Sequence, residues 1–266
     1  MKYYTIQPSP ALAQFVRFFW VFENEGTPEK PYIYRSMADG CAELIFHYKG
    51  SFNEIAGKGL ERSPLSHIHS QSTTYREFVT SERFGIFGVY LYPYAIPYLF
   101  SLPSTDFNNL MPDLDTIWSR DAKELEENIM LAANNFNRVK ILSDFIAKKI
   151  YACKIKDSAV QHSIKYIIHS GATEKVSSLS EKYNLSQRQY ERKFKEYSGF
   201  SPKLFSRIIR FQSTLKEYGK NRTLTEIASK CGYFDQSHFN REFKLFSGCL
   251  PKEYFVCTRN DAALRV

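Results

Sequence analysis

No stretch of this 266-residue chain is apolar over the length that a membrane span requires. The opening Met1-Lys2-Tyr3-Tyr4 runs into mixed sequence without the apolar core of a secretion signal. A cytoplasmic protein with no membrane partner is expected. Cysteine is sparse: Cys41, Cys153, Cys231, Cys249 and Cys257 are odd in number and include no C-x-x-C pair. That argues against both a disulfide framework and a zinc ribbon, so they read as reduced, mostly buried thiols. No catalytic set, metal site or cofactor is assigned, and the chain does not read as an enzyme.

Excess charge is also missing from the first part of the chain. Residues 1–156 carry 17 Lys and Arg against 17 Asp and Glu, whereas residues 157–266 carry 19 against 11, the whole of the net +8. A basic field confined to one region attracts polyanions, although composition alone often marks only a solvated surface. With 43% hydrophobic residues the chain has room for two modest domains, each with a core.

The basic region contains one pattern twice. Gln187-Arg188-Gln189-Tyr190-Glu191-Arg192-Lys193-Phe194-Lys195, then Ser198-Gly199 and Pro202-Lys203, aligns with Gln236-Ser237-His238-Phe239-Asn240-Arg241-Glu242-Phe243-Lys244, then Ser247-Gly248 and Pro251-Lys252. An aromatic, an Arg, a Phe, a Lys and both dipeptides coincide at an offset of 49, and repeated units report architecture.

Seven helices are expected here. Residues 158–170 place Val160, Ile164, Ile167 and Ile168 on one face. The first copy opens with Thr173 as N-cap and Val176, Leu179 and Tyr183 inward; the second runs from Thr223 through Leu224, Ile227 and Cys231. Where two helices of such a motif cross closely the residue must be small, and Ser180 and Ala228 stand there. Four residues on, the turn favours positive φ, and Asn184 and Gly232 tolerate it. One extra residue in the second copy then changes the offset from 48 to 49. Gly199 and Gly248 close the following helices, and Pro202 and Pro251 open the next. The helix from Pro202, with Leu204, Phe205, Ile208, Ile209, Phe211 and Leu215, reads as a buried strut.

The second helix of each copy has two faces. Tyr190, Phe194 and Tyr197, like Phe239, Phe243 and Phe246, recur at i, i+4, i+7 and should hold the helix to its core. The other face carries Gln187, Arg188, Glu191, Arg192 and Lys195 in one copy, and Gln236, Ser237, Asn240, Arg241 and Lys244 in the other. Arg fits the acceptors of guanine, Gln or Asn fits adenine, and Lys meets phosphate. Ser186 and Asp235 are the expected N-caps, aiming the helix starts at a groove. One such helix is more often a solvated surface than a reader; two with matched faces favour DNA. Arg192 and Arg241 could instead pair with nearby carboxylates, and His238 could cap or pack as readily as touch a base. Readers about one DNA turn apart, roughly 34 Å, would enter successive major-groove segments.

Leu224-Thr225-Glu226-Ile227-Ala228 through Cys231-Gly232-Tyr233, Ser237-His238-Phe239, Arg241-Glu242-Phe243-Lys244, Gly248 and Pro251-Lys252-Glu253-Tyr254 resemble the signature of AraC/XylS-type transcription regulators. The resemblance covers about residues 158–257. It implies a seven-helix domain with two helix-turn-helix motifs, normally an activator of promoter DNA that contacts RNA polymerase. By position it gives base-facing roles to Arg188, Glu191 and Arg192, and to Gln236, Ser237, Asn240 and Arg241. Ser180, where alanine is commoner, and Cys249-Leu250, where a small polar pair often precedes the proline, depart from the pattern and leave the operator open.

The N-terminal part holds 22 of the 42 aromatics within residues 1–110, among turn signals such as Asn24-Glu25-Gly26, Asp39-Gly40 and Lys49-Gly50. Glu43–Tyr48 and Phe84–Leu91 favour strands, and a small β-sandwich or barrel is expected. Less specifically, Phe15-Val16-Arg17 to Trp20, Asp39-Gly40-Cys41 and the Pro93-to-Trp118 stretch resemble the cupin-like effector domains attached to this family, in which a small molecule sits in the barrel mouth. His67 and His69 share a strand face, with Glu77 as a conceivable third ligand, yet their surroundings do not match a metal-binding cupin; a structural or surface role is favoured. No effector-contact residue is assigned. Residues 120–151 read as two amphipathic helices, lined by Leu125, Ile129 and Ala132 and by Val139, Leu142, Ile146 and Ile150. In the resembling family this region often carries a homodimer interface; packing on its own sheet weighs equally.

The expected class is therefore α+β: a β-rich effector domain over 1–118, a helical linker over 119–156, an all-α DNA-binding domain over 157–258 and a tail over 259–266. The expected function is a DNA-binding regulator, an activator gated by an unknown small molecule or partner. Two rivals are an architectural DNA binder without an effector and a repair methyltransferase with an appended helix-turn-helix domain. The scattered cysteines supply no zinc-type cluster for the latter.

Overall fold

In the structure, a computed structural model, residues 1–26, 30–57, 59–155, 158–172, 174, 176–218 and 222–257 are described. Thr173, expected to cap the first copy, the side chain of Cys257 and the tail lie outside the described residues. The chain forms two compact units: Met1–Arg35, Cys41–Gln71 and Arg76–Lys156; and Ser36–Gly40, Ser72–Tyr75 and Asp157–Val266.

The strands are β1 (Lys2–Ile6), β2 (Val16–Asn24), β3 (Tyr32–Ser36), β4 (Ala42–Lys49), β5 (Asn53–Ala56), β6 (Gly59–Arg62), β7 (Ser66–His69), β8 (Arg76–Thr80) and β9 (Phe84–Leu91). Two sheets result, one ordered β1-β2-β9-β4-β7 and the other β3-β8-β5-β6. β9 lies antiparallel between β2 and β4, its residues Phe84, Phe87, Val89 and Leu91 wholly buried. Such strands, covered on both faces, lose the alternation of a half-exposed strand. Rings join the sheets: Phe22 of β2 meets Tyr32 of β3 at 5.8 Å, and His69 of β7 meets Phe78 of β8 at 5.7 Å. Gly88 leaves room for the Trp20 indole, which a Cβ there would approach to 2.5 Å. The expected sandwich is present.

The stretch after β9 is helical, which the β-rich reading of residues 1–118 did not include: α1 (Ala95–Phe100), a 3-10 turn (Ser104–Phe107) and α2 (Leu114–Trp118). α3 (Arg120–Leu131) and α4 (Asn135–Ala152) follow, and belong to the same compact unit as the sheets. Leu125, Ile129, Leu142 and Ile146 are buried as expected, while Val139 and Ile150 are half-buried. Ala132 is half-buried just past α3, as its C-cap. A polar network fixes α4 to this unit. Arg138 donates to the Ile129 carbonyl at 3.1 Å and lies over the Tyr48 ring, and Asn135 donates to Tyr4 and Glu23.

His67 and His69 are buried in β7. The His67 ring stacks on His47, its Nδ1 3.1 Å from the Pro64 carbonyl, while Glu77 is taken by Arg35. Burial pushes His47 and His69 down to about 4 and His67 below its ordinary value. All three are thus neutral packing groups near pH 7. Among the described residues no cluster of three His, Cys, Asp or Glu could hold a metal, and no helix is long and apolar enough to cross a membrane. The expectation of mostly buried thiols is corrected: Cys41 is buried, but Cys153, Cys231 and Cys249 are partly exposed, because each sits at or just past a helix end.

The second unit contains the seven expected helices: α5 (Ala159–Ser170), α6 (Val176–Lys182), α7 (Gln187–Ser198), α8 (Pro202–Glu217), α9 (Leu224–Lys230), α10 (Gln236–Ser247) and α11 (Pro251–Cys257). α8 is the strut. Phe205, Ile208, Ile209 and Phe211 are buried, Leu204 and Leu215 only half so. Phe205 meets Phe194 of α7 at 5.5 Å, and Phe211 meets Phe243 of α10 at 5.2 Å, so one rod carries both copies.

Candidate nucleic-acid interface

The two turns close with the same hydrogen bonds. In the first, Asn184 N–H donates to the Glu181 carbonyl and Leu185 N–H to that of Ser180; in the second, Gly232 donates to Ser229 and Tyr233 to Ala228. Asn184 and Gly232 adopt φ of 54° and 74°, the left-handed region expected of them. Ser180 and Ala228 are buried at the crossings. Ser186 and Asp235 then cap α7 and α10, accepting from the backbone of Gln189 and His238. Between turn and cap the first copy has Leu185 alone, whereas the second has Tyr233 and Phe234, so Phe234 is the residue that shifts the offset.

Each recognition helix is anchored by its aromatic face. Tyr190, Phe194, Phe239, Phe243 and Phe246 are fully buried; Tyr197 is half-buried, near the helix end. Val176, Tyr183 and Ile168, expected inward, are also half-buried: Val176 opens the short α6, whose buried apolar residue is Leu179, Tyr183 lies just past its end, and Ile168 lies in the last turn of α5. The anchors differ in chemistry. The Tyr190 hydroxyl lies 2.5 Å from that of Ser163 on α5, and burial pushes the phenol up to about 12. In α10 the buried Glu242 accepts from Arg207 Nε of α8 at 2.6 Å. This pair was not read from the sequence, since 35 residues separate its members.

On the opposite faces, Gln187, Arg188, Glu191, Arg192 and Lys195 are all exposed, as are Gln236, Ser237, Arg241 and Lys244; His238 and Asn240 are half-exposed. In α7, Gln187 donates to Glu191 at 3.1 Å and Arg192 pairs with Glu196 at 2.8 Å, the alternative the sequence had left open. In α10, Gln236 accepts from Thr225 at 3.4 Å, and His238 packs on Tyr233 with Nε2 3.5 Å from Glu242. Arg188 and Arg241 form no ion pair among the described residues. A shallow depression beside the start of α10 is lined by Phe234, Asp235, Ser237, His238 and Arg241. Phe234 was not assigned from the sequence, because a turn residue belongs to neither face of a helical period. Two capped, rigidly backed helices, each presenting amide and guanidinium groups to solvent, have the form that reads base edges.

Comparison with known proteins divides the chain the same way. Residues 4–112 match a domain of unknown function (DUF6597), and residues 179–256 match a helix-turn-helix domain. The HTH-type transcriptional regulator GbdR of Pseudomonas aeruginosa is 33% identical over 73 residues, 26% of this chain; the match spans only 19% of that relative's length. Among solved structures, ToxT from Vibrio cholerae O395 bound to (E)-4-(8-methylnaphthalen-1-yl)but-3-enoic acid is similar in fold, with a TM-score of 0.50 and 14% identity over 96% of this chain and 99% of that one.

Proposed function

We propose that the protein is a sequence-specific transcriptional regulator of the AraC type whose α7 and α10 enter successive major-groove segments of promoter DNA, a reading supported by the match of residues 179–256 to a helix-turn-helix domain. The observation that carries this reading is the pair of solvent-facing guanidiniums, Arg188 and Arg241, without an ion pair among the described residues, on helices whose other faces are sealed by aromatics. In this reading they take guanine, Gln187, Gln236 and Asn240 take adenine, Glu191 takes cytosine, Ser237 takes either base, and Lys195 and Lys244 take phosphate. Arg192 joins after leaving Glu196, and His238 supports the helix from the side. Regulation works through promoter occupancy and contact with RNA polymerase, in the cytoplasm, with no catalytic step.

Residues 1–118, which carry 9 Lys and Arg against 12 Asp and Glu and so offer DNA no basic field, are assigned to a small-molecule effector or partner, and 157–258 to DNA. The solvent-facing side of residues 119–156, where Leu131, Phe136 and Tyr151 are exposed, is assigned to a second copy of the chain. The test is selection of bound genomic fragments with the purified protein, repeated with Arg188→Ala and Arg241→Ala at several salt concentrations. A two-part motif with segments about ten base pairs apart, each relaxed by one substitution, is expected. Binding without a motif that fades uniformly with salt would instead indicate phosphate contact alone, the property of an architectural binder.

A further inference from the structure

The two copies share their turn hydrogen bonds and place a small buried residue and a helix cap at matching points, so the inserted residue between turn and cap stands out. Phe234 is 92% exposed, whereas its neighbour Tyr233 is buried against Phe239. The turn fixes this division: Tyr233 N–H is tied to the Ala228 carbonyl, and Asp235 is committed to capping α10. An apolar ring is thereby held at the start of the helix, walling the depression that Ser237 and Arg241 also line, one turn apart on α10. Phe234 is the apolar member of that lining, beside Asp235, Ser237, His238 and Arg241. The major groove offers one apolar feature, the 5-methyl group of thymine, and phenylalanine is among the residues that contact it.

We propose that Phe234 is a specificity-determining residue that takes the 5-methyl of a thymine adjoining the base pair read by Ser237 and Arg241. The inference rests on the proposed docking of α10 in the major groove. It gives the second copy a preference that the first, lacking the residue, does not have.

The test uses the motif recovered by fragment selection, synthesised with deoxyuridine replacing each thymidine in turn, and full-length protein. At one position within the α10 half-site, loss of the methyl should weaken wild-type binding about fourfold, the worth of one buried methyl. Phe234→Ala should lose about as much on the thymine probe and be indifferent to deoxyuridine there, while Phe234→Leu should keep part of the discrimination. The side chain is nearly fully exposed, so unfolding midpoints should not move. Equal losses for Phe234→Ala on both probes would assign the ring to sugar or phosphate and overturn the inference, as would unchanged binding, or a loss of self-association with DNA affinity intact. Failure of the wild type to select any motif would overturn the underlying reading instead.

Discussion

The two helix-turn-helix copies agree in backbone and differ in how their surfaces are satisfied. α7 closes on itself: Gln187 holds Glu191, and Arg192 holds Glu196, along one helix. α10 keeps Arg241 free of such pairs, and its single carboxylate, Glu242, is turned inward to Arg207. In the proposed docking, Arg192 must leave Glu196 before it gains a DNA contact, whereas Arg241, its counterpart in α10, has no ion pair among the described residues to give up. The difference teaches that a duplicated scaffold can carry two differently paired surfaces on matching aromatic cores.

The aromatic backing should be equivalent in the two copies. Phe194→Ala and Phe243→Ala each remove a fully buried ring and should lower stability by about 3–5 kcal/mol, read by denaturant unfolding. A loss in one copy alone would break the comparison at its base. The anchors should then diverge: Arg207→Ala strands the buried Glu242 carboxylate and should cost about 2–3 kcal/mol, below the range for a fully buried pair because Arg207 is partly exposed. Ser163→Ala removes only a neutral partner of the Tyr190 hydroxyl and should cost about 1 kcal/mol by the same measurement. For DNA, Arg241→Ala should weaken binding to the selected motif by about 2 kcal/mol, near thirtyfold. Arg192→Ala should weaken it by about 1 kcal/mol or less, since wild-type binding already requires leaving Glu196; equal losses would erase the asymmetry. The smallest effects belong to the turns. Gly232→Ala meets no atom within 4 Å, so it should show only the left-handed strain of about 1 kcal/mol, and Asn184→Ala a similar or smaller loss.

How much could be read from the residues follows from the range of each interaction. The caps at Ser186 and Asp235, the positive φ at Asn184 and Gly232 and the helix starts at Pro202 and Pro251 depend on chemistry within four residues, and a second copy tested every assignment. What escaped was non-local or aperiodic. The Arg207–Glu242 pair spans two helices, and the strand order β1-β2-β9-β4-β7 sets β9 beside β2 across the 59 residues from 25 to 83. α1 and α2, six and five residues long, are too short for a helical period to register. Phe234 was hidden because it lies between two patterns and within neither. For His67 and His69 the surrounding residues already favoured a structural or surface role over metal binding; their burial decides between structure and surface.

α8 links these observations in another respect. It is 16 residues long, so about 24 Å, and it touches the first reader through Phe205 and the second through Phe211, six positions further on. That interval works as a ruler. Adding one residue within it would advance one recognition helix by about 1.5 Å and rotate it by about 100° relative to the other. In the proposed docking, the phase between the two halves of an operator is set by the length of the helix that backs both copies, so a change in that length would shift the preferred spacing while every side chain assigned to DNA stayed the same.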